Sequence, residues 1–178
     1  ADGTIAIHLI RPIDYKYIKL SENIGEMCVN ILTQFLPFTV LLCIMGFIKM
    51  PDISRGFLYI ISVMIGYLCL FYFNFLFGLF SFHTTYFFGL NMAMTVIMQF
   101  FSGSIIPFSF LPESLEKIFL LLPFSSVNYA PIMIFMGKIS EMEIVKIIFL
   151  QVFWMLIFAL CGKIMWKSAI KRLTILGG

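Results

Sequence analysis

Four long apolar segments separated by short polar links dominate the chain. They cover residues 27–48, 56–80, 87–106 and 144–166. Each is close to the ~20 residues that an α-helix needs to cross a hydrocarbon core of ~30 Å. The pattern predicts an all-α integral membrane protein with four transmembrane helices in this chain. Residues 1–178 then form a single transmembrane domain.

The apolar pattern is interrupted after the third segment, where Gly103 and Pro107 follow each other closely. A hydrocarbon interior cannot hydrogen-bond free backbone groups, so such a break is tolerated inside protein, beside water or at the membrane interface. A polar line along the third segment leads to this break. We expect a membrane helix to surface or re-enter at this place.

Two short helices are predicted over residues 112–137, at or within the outer leaflet. Pro112 suits the first turn of an amphipathic helix, in which Leu115 and Phe119 lie on the apolar face opposite charged positions. Pro123 ends that helix, Ser125 or Ser126 is the expected cap of the next one, and Gly137 ends it. The break and this apolar face form a predicted outer gate or, equally, a structural cap on the bundle. Its residues are Gly103, Pro107, Leu115 and Phe119.

Composition supports a membrane protein. Hydrophobic residues make up 61% of the chain, charged residues 12%, and the mean hydropathy is +1.03. Soluble domains average about 25% charged residues. A net charge of +3, scattered along the chain, gives no reason to expect nucleic acid as a partner. The four cysteines all lie within apolar segments without a short spacing, which predicts neither a disulfide framework nor a metal site.

Basic residues orient the predicted crossings, because Lys and Arg favour the cytoplasmic side. The side that holds both chain ends collects seven of them and the other side five. Residues 1–26 are therefore predicted to be a cytoplasmic connector and residues 167–178 a cytoplasmic tail. The seven are Arg11, Lys16, Lys19, Lys163, Lys167, Lys171 and Arg172, and the five are Lys49, Arg55, Lys117, Lys138 and Lys146.

Polar residues inside the crossings recur at helical spacing, so they share faces. Lipid exposure of such faces is costly, and they are expected to turn toward another helix, a partner subunit or a substrate path. Both uses, helix packing and translocation, remain open. The stripes include Ser62, Gly66, Gln151 and Gly162, and the candidates for a translocation path are Asn30, Gln34, Asn74, Asn91, Thr95 and Gln99.

Three stretches resemble a known family. LIRPIDY precedes the first crossing, FFSGSIIPFSFLPESLEKIFLLLPF follows the third, and the chain ends in KSAIKRLTILGG. Together they are similar to the later part of bacterial ATP-binding-cassette (ABC) transporter permeases of the type-2 exporter superfamily. The resemblance implies six crossings in the complete protein, of which this chain would hold numbers three to six. The absence of an initiator Met agrees with a chain that begins inside a longer protein.

The resemblance implies an export permease in the bacterial cytoplasmic membrane, paired with a second permease and driven by separate ABC ATPase subunits. The chain contains no Gly-rich P-loop, so ATP and Mg²⁺ are expected in the partner ATPase and no cofactor in this chain. Membrane lipid would be a further partner. By position, the expected contacts with the ATPase are Arg11, Pro12, Asp14 and Tyr15.

Two other classes of function compete with a transporter. An enzyme needs convergent catalytic groups, whereas this chain offers only His8 and His83 and no carboxylate near the centre of a crossing. No catalytic or metal-ligating residue is predicted. The alternative to a transporter is a non-transporting membrane anchor or assembly subunit, against which the intramembrane polar stripes weigh.

Overall fold

The computed structural model describes residues 15–48, 50–80 and 87–176, and every regular element in these ranges is helical. The chain divides into two compact units, Ala1–Met50 and Pro51–Gly178. The all-helical fold expected from the sequence is therefore confirmed for the described residues.

The N-terminal unit is one helical run with a π-helical segment in its middle. Helix α1 spans Tyr15–Asn30, the π segment Ile31–Phe35 and helix α2 Leu36–Ile44. Pro37 has no N–H to donate to the carbonyl four residues earlier, and the Leu36 N–H bonds the Ile31 carbonyl five residues back. The missing donor explains the wider turn.

The helix bounds in this unit differ from the predicted segment bounds. The connector over 1–26 and the crossing over 27–48 were expected to be separate, but the helix is continuous from Tyr15. It also ends at Ile44, because Gly46 adopts the left-handed conformation (φ 74°) and the Phe47 N–H bonds the Leu42 carbonyl over 3.0 Å. This pattern is a Schellman helix end.

The C-terminal unit is built around two long helices, α3 (Ile53–Phe80) and α7 (Glu141–Leu176). They pack along each other through aromatic and small residues. The Phe73 and Phe158 rings meet edge to face at 5.2 Å, and a Cβ added at Gly162 would lie 3.4 Å from the Phe75 ring. A methyl group at position 162 would make an ordinary van der Waals contact, so the packing of the two helices there does not depend on glycine.

Helix α7 begins as the sequence predicts and continues farther. The Ser140 N–H donates to the Glu143 carboxylate over 2.8 Å and the Glu143 N–H donates to the Ser140 hydroxyl over 3.4 Å. This reciprocal pair is a capping box, which the sequence pattern of Ser140 and Glu143 ahead of an apolar segment predicts. The helix extends to Leu176 and therefore includes most of the segment expected to be a separate tail over 167–178.

Shorter elements lie between these two helices. Helix α4 spans Phe87–Phe101, a 3₁₀ turn Phe108–Phe110, helix α5 Glu113–Leu121 and helix α6 Tyr129–Met136. The third crossing was predicted to reach residue 106. The helix observed in this segment ends five residues earlier, at Phe101.

The caps of the short helices were predicted with mixed success. Gly137, with φ 66°, ends α6 as expected. Pro112 lies just before α5 rather than within its first turn. The predicted side-chain cap of α6 was wrong. Asn128 occupies the cap position without a capping hydrogen bond, and the Ser125 hydroxyl donates back to the Leu122 carbonyl at the end of α5.

Within the described ranges, three helices are long and apolar enough to cross a membrane, judged by length and composition: Lys16–Ile44, Ile53–Leu79 and Glu141–Trp166. Helix α4 is apolar but has only 15 residues, a length of about 22 Å at ~1.5 Å per residue. Many large apolar side chains on these helices are exposed. Such surfaces are typical of helices that face lipid or other protein in a membrane.

Candidate functional site

A groove between α3 and α4 gathers polar residues from both helices. Its volume is about 330 Å³, and four polar side chains line it. Three of them step by four along α4, so they lie on one face of that helix. The four residues are Asn74, Asn91, Thr95 and Gln99.

The amides of this groove have no hydrogen-bond partner within the part of the chain that the structure describes. The Thr95 hydroxyl donates to the Asn91 main-chain carbonyl over 3.0 Å. No such bond is present for the side chains of Asn74, Asn91 and Gln99, which are all exposed. A carboxamide in an apolar environment costs free energy until water, protein or a ligand satisfies it. The groove therefore presents hydrogen-bonding capacity that α3 and α4 do not use.

The remaining wall of the groove is apolar. Phe73 and Phe77 contribute from α3, and Met94 and Met98 from α4. No ionisable residue lines the groove. The surface is thus neutral, with amide groups set among aromatic and thioether side chains.

Helix α4 ends in a Schellman motif, just after Gln99, the last residue of this polar line. Gly103 has φ 80°, its N–H points to the Phe100 carbonyl over 3.4 Å, and the Ser104 N–H donates to the Gln99 carbonyl over 3.2 Å. Only glycine adopts this conformation without steric cost. The predicted break is therefore a true helix end rather than a kink.

The space beside Gly103 is already filled. A Cβ at this position would lie 3.0 Å from the Phe108 ring. The chain itself therefore approaches the Gly103 backbone closely, through the aromatic residue that follows Pro107.

Three polar side chains tie the end of α4 to the start of α6. The Asn128 amide donates to the Ser104 hydroxyl over 2.8 Å and to the Ser102 hydroxyl over 3.2 Å. The two hydroxyl oxygens are 2.9 Å apart, and Ser102 also donates to the Gln99 carbonyl over 3.3 Å. We call Ser102, Ser104 and Asn128 the serine–asparagine latch. Asn128 was missed as a site residue, although an asparagine just before an apolar helix marks a helix start.

Aromatic rings cover the inner side of the same turn. Phe108 is fully buried, and its ring centre lies 4.6 Å from Tyr129 and 5.9 Å from Phe119. Phe119 also packs against Phe101 at 4.9 Å.

Burial raises the pKa of the Tyr129 phenol above its ordinary value, and the negative charge of the Glu116 carboxylate raises this pKa further. The phenol therefore stays protonated at neutral pH.

The predicted outer-gate residues thus have different surroundings. Phe119 is buried under the turn, Gly103 contacts Phe108, and Pro107 is exposed. Leu115 is 43% exposed on α5, whereas Phe119 on the same helix is buried among aromatic rings.

A buried amide joins α3, α7 and the segment before α6. Gln151 is fully buried, and its amide donates to the Ser126 carbonyl over 2.7 Å and to the Ser62 carbonyl over 3.2 Å. The Ser62 hydroxyl donates in return to the Gln151 side-chain oxygen over 3.1 Å. A Cβ at Gly66 would lie 2.8 Å from the Ser126 carbonyl, so only glycine permits this approach. We call Ser62, Gly66, Ser126 and Gln151 the glutamine clasp.

A second bond from α7 supports the end of α5. The Trp154 indole N–H donates to the Leu121 carbonyl over 2.9 Å. Carbonyls in the last turn of a helix lack intrahelical partners, and no backbone N–H of the described residues bonds the Leu121 carbonyl. The indole therefore satisfies a group that would otherwise be free.

The comparisons with known proteins identify the family. The family model described as ABC-2 family transporter protein matches residues 1–177. The chain belongs to this family. No curated protein and no solved structure gave a match.

As an ABC-2 permease, the chain is a multi-pass membrane component of an ABC transporter, and the family implies association with an ABC ATPase subunit. Among the described residues of this permease, no group of His, Cys, Asp and Glu could hold a metal ion. The resemblance drawn from the sequence is confirmed.

The predicted ATPase contacts of the permease are at the edge of what the structure describes. Arg11, Pro12 and Asp14 lie outside the described residues, and Tyr15 is the first residue of α1. Their role stays a prediction.

Two predicted path residues of the permease lie in the N-terminal unit. The Gln34 amide donates to the Asn30 side-chain oxygen over 3.2 Å, and both side chains are exposed. Gln34 lies within the π segment, next to Thr33, whose hydroxyl donates to the Val29 carbonyl over 2.7 Å. Polar residues and irregular helix geometry thus coincide, as they often do at functional positions.

Proposed function

We propose that this permease forms part of the translocation path of an ATP-driven exporter, together with a second permease of the same or a related sequence. The groove between α3 and α4 would be the part of the path that this chain supplies. ATP and Mg²⁺ would bind in the partner ATPase, and membrane lipid would surround the outer faces of the helices.

The observation that carries this proposal is the set of amides at Asn74, Asn91 and Gln99, which have no partner among the described residues. Polar side chains used only for helix packing would be expected to bond across helices, as Gln151 does to Ser126. The polar stripes therefore divide into two groups. The residues of the first group bond one another in the glutamine clasp. The amides of the second group, in the groove, are available to hydrogen-bond a solute.

The finer topology belongs to the same proposal. Four crossings place both ends of this chain in the cytoplasm and put α5 and α6 at the outer interface. The ion pair between Lys117 and Glu113, at 2.6 Å, supports this placement, because both side chains are well exposed on α5. Charges at that position are tolerated in the headgroup region and costly in hydrocarbon.

The outer gate is proposed at the end of α4. The serine–asparagine latch and the Phe108 ring close the turn that follows the groove. A solute moving along Asn91, Thr95 and Gln99 would reach this turn next. Opening would separate Asn128 from Ser104, while the glutamine clasp holds the segment before α6 against α3 and α7.

Coupling to the ATPase is proposed at Arg11, Pro12, Asp14 and Tyr15. What supports it is the continuous helical run from Tyr15 to Ile44. A displacement at its first residue would be transmitted along the helix, and the π segment at Ile31–Phe35 is a place where the run can bend. The Asp14→Ala/Tyr15→Ala variant should lower transport-coupled ATP hydrolysis and leave membrane insertion intact, and unaltered coupling in this variant would place the contact elsewhere.

Cysteine accessibility in the reconstituted complex tests the path. Thr95→Cys, in a background without the native cysteines, is treated with the water-soluble cation 2-(trimethylammonium)ethyl methanethiosulfonate, with and without ATP. Val96→Cys is the matched control, because Val96 is exposed on α4 but does not line the groove. A translocation path requires reaction at residue 95 that changes with ATP and no such change at residue 96. Equal, ATP-independent reaction at both positions would favour a non-transporting anchor.

A further inference from the structure

The groove has a chemical character that restricts what it can bind. Three carboxamides and one hydroxyl supply donors and acceptors without net charge. The helices themselves are uncharged over the relevant length, since α4 contains no Asp, Glu, Lys or Arg, and α3 contains none after Arg55. A charged ligand would therefore have no opposite charge within either wall.

The cost of an unpaired charge decides between ligand classes. Burying an uncompensated ion in an apolar environment costs far more than burying a hydrogen-bonded neutral group. Neutral hydroxyl, amide or carbonyl groups can both donate to and accept from the Asn and Gln side chains. The Phe and Met part of the wall offers contact to an apolar body at the same time.

The dimensions of the groove point to a small ligand or to one portion of a longer one. A volume of about 330 Å³ is at the lower end of the ~300–1,000 Å³ that small-molecule sites occupy. The polar line from Asn91 to Gln99 is about 12 Å long at ~1.5 Å rise per residue. The polar group of a ligand could thus pass its hydrogen bond from one amide side chain to the next as the ligand moves toward the end of α4.

We infer that the groove binds neutral amphiphiles, that is, molecules with an uncharged hydrogen-bonding group attached to an apolar chain or ring, and that it discriminates against charged ones. As a statement about cargo this rests on the proposed function. As a statement about binding it can be tested without the ATPase.

Protection from thiol labelling provides the test. The full chain without its native cysteines is placed in lipid nanodiscs with Met94→Cys, which lines the groove and leaves all three amides in place. N-Ethylmaleimide labels this thiol in the presence of n-octyl β-glucoside, octyltrimethylammonium or octyl sulfate, each below its micelle concentration. Val96→Cys on the same helix is the control for general effects of the amphiphile on the bilayer.

A bound ligand slows labelling by a factor of 1 + [L]/Kd. This factor is about three when the ligand concentration is twice the dissociation constant. We expect octyl glucoside to slow labelling at residue 94, the two ionic probes to have little effect there, and residue 96 to be unaffected. Gln99→Glu should reverse the preference, so that octyltrimethylammonium protects residue 94 once the carboxylate is ionised. Equal protection by all three probes, protection at residue 96 as well, or no protection by the neutral probe would each overturn the inference.

The two proposals can fail separately. Selective protection by octyl glucoside without ATP-dependent accessibility at residue 95 would keep the binding site and remove the transport path. ATP-dependent accessibility without selective protection would keep the path and remove the ligand class.

Discussion

The amide of Asn128 donates a hydrogen bond of 2.8 Å to the hydroxyl of Ser104. The two residues are 24 positions apart, and the bond joins the residue before α6 to the turn that ends α4. It replaces the helix cap that Asn128 could have formed with its own helix. The end of the polar groove and the outer short helices are therefore linked by side chains that can separate without unfolding either helix.

A double-mutant cycle measures this link. Asn128→Ala and Ser104→Ala should show a coupling free energy of about 0.6 kcal/mol, and not above ~1.7 kcal/mol, as is found for hydrogen bonds between membrane helices. Unfolding in micelles, followed by circular dichroism, provides the stabilities. Pairing Asn128→Ala with Ser109→Ala is the control, because Ser109 is exposed and does not contact Asn128 through a hydrogen bond. Additive losses for Asn128 and Ser104 would contradict the latch.

The glutamine clasp leaves no room for a side chain at position 66. Gly66→Ala should destabilise the protein by about 1–3 kcal/mol, since the added methyl group would lie 2.8 Å from the Ser126 carbonyl and force the backbone apart. Gly56→Ala on the same helix has nothing within 4 Å of the new Cβ. That control should be neutral or stabilise by about 0.5–1 kcal/mol. Thermal unfolding of both variants compares them, and equal midpoints would argue against the close approach at Gly66.

The helix end at Gly103 predicts a backbone effect. Gly103→Ala should cost about 1–2 kcal/mol, the penalty of the left-handed conformation for a residue with a Cβ. Gly103→Asn is compared with Gly103→Ala in a Phe108→Ala background, which opens the space beside residue 103. There Gly103→Asn should cost less, because asparagine visits this conformation more readily. Gly89→Ala, with open space around the new Cβ, is the matched control on α4. Melting temperatures that rank Asn above Ala would support the assignment, and a neutral Gly103→Ala would refute it.

Orientation can be decided by labelling intact cells. In a background without native cysteines, Ser114→Cys should react with an impermeant maleimide and Ser168→Cys should react only after the cells are opened. The reason is the excess of Lys and Arg on the side that holds both chain ends, seven against five. Reaction of Ser168→Cys from outside, with Ser114→Cys protected, would reverse the proposed topology.

Much of the molecule could be predicted from local sequence. The capping box at Ser140 and Glu143, the glycine that ends α6 and the break at Gly103 all follow from rules that act within a few residues. The all-helical fold and the family follow from apolar segments of membrane-spanning length and from three motif-bearing stretches. These features depend on the chain's own neighbours, so one sequence is enough to show them.

Tertiary structure decided which polar residues are used for packing and which remain available. From spacing alone, Ser62 and Asn74 belong to the same kind of stripe, yet Ser62 bonds Gln151 from the distant helix α7 and Asn74 faces the groove. The exact partner depends on the packing of helices far apart in sequence, which helical periodicity does not encode. For the same reason Asn128 reads as a helix cap in the sequence and becomes a latch only where the end of α4 is brought to it.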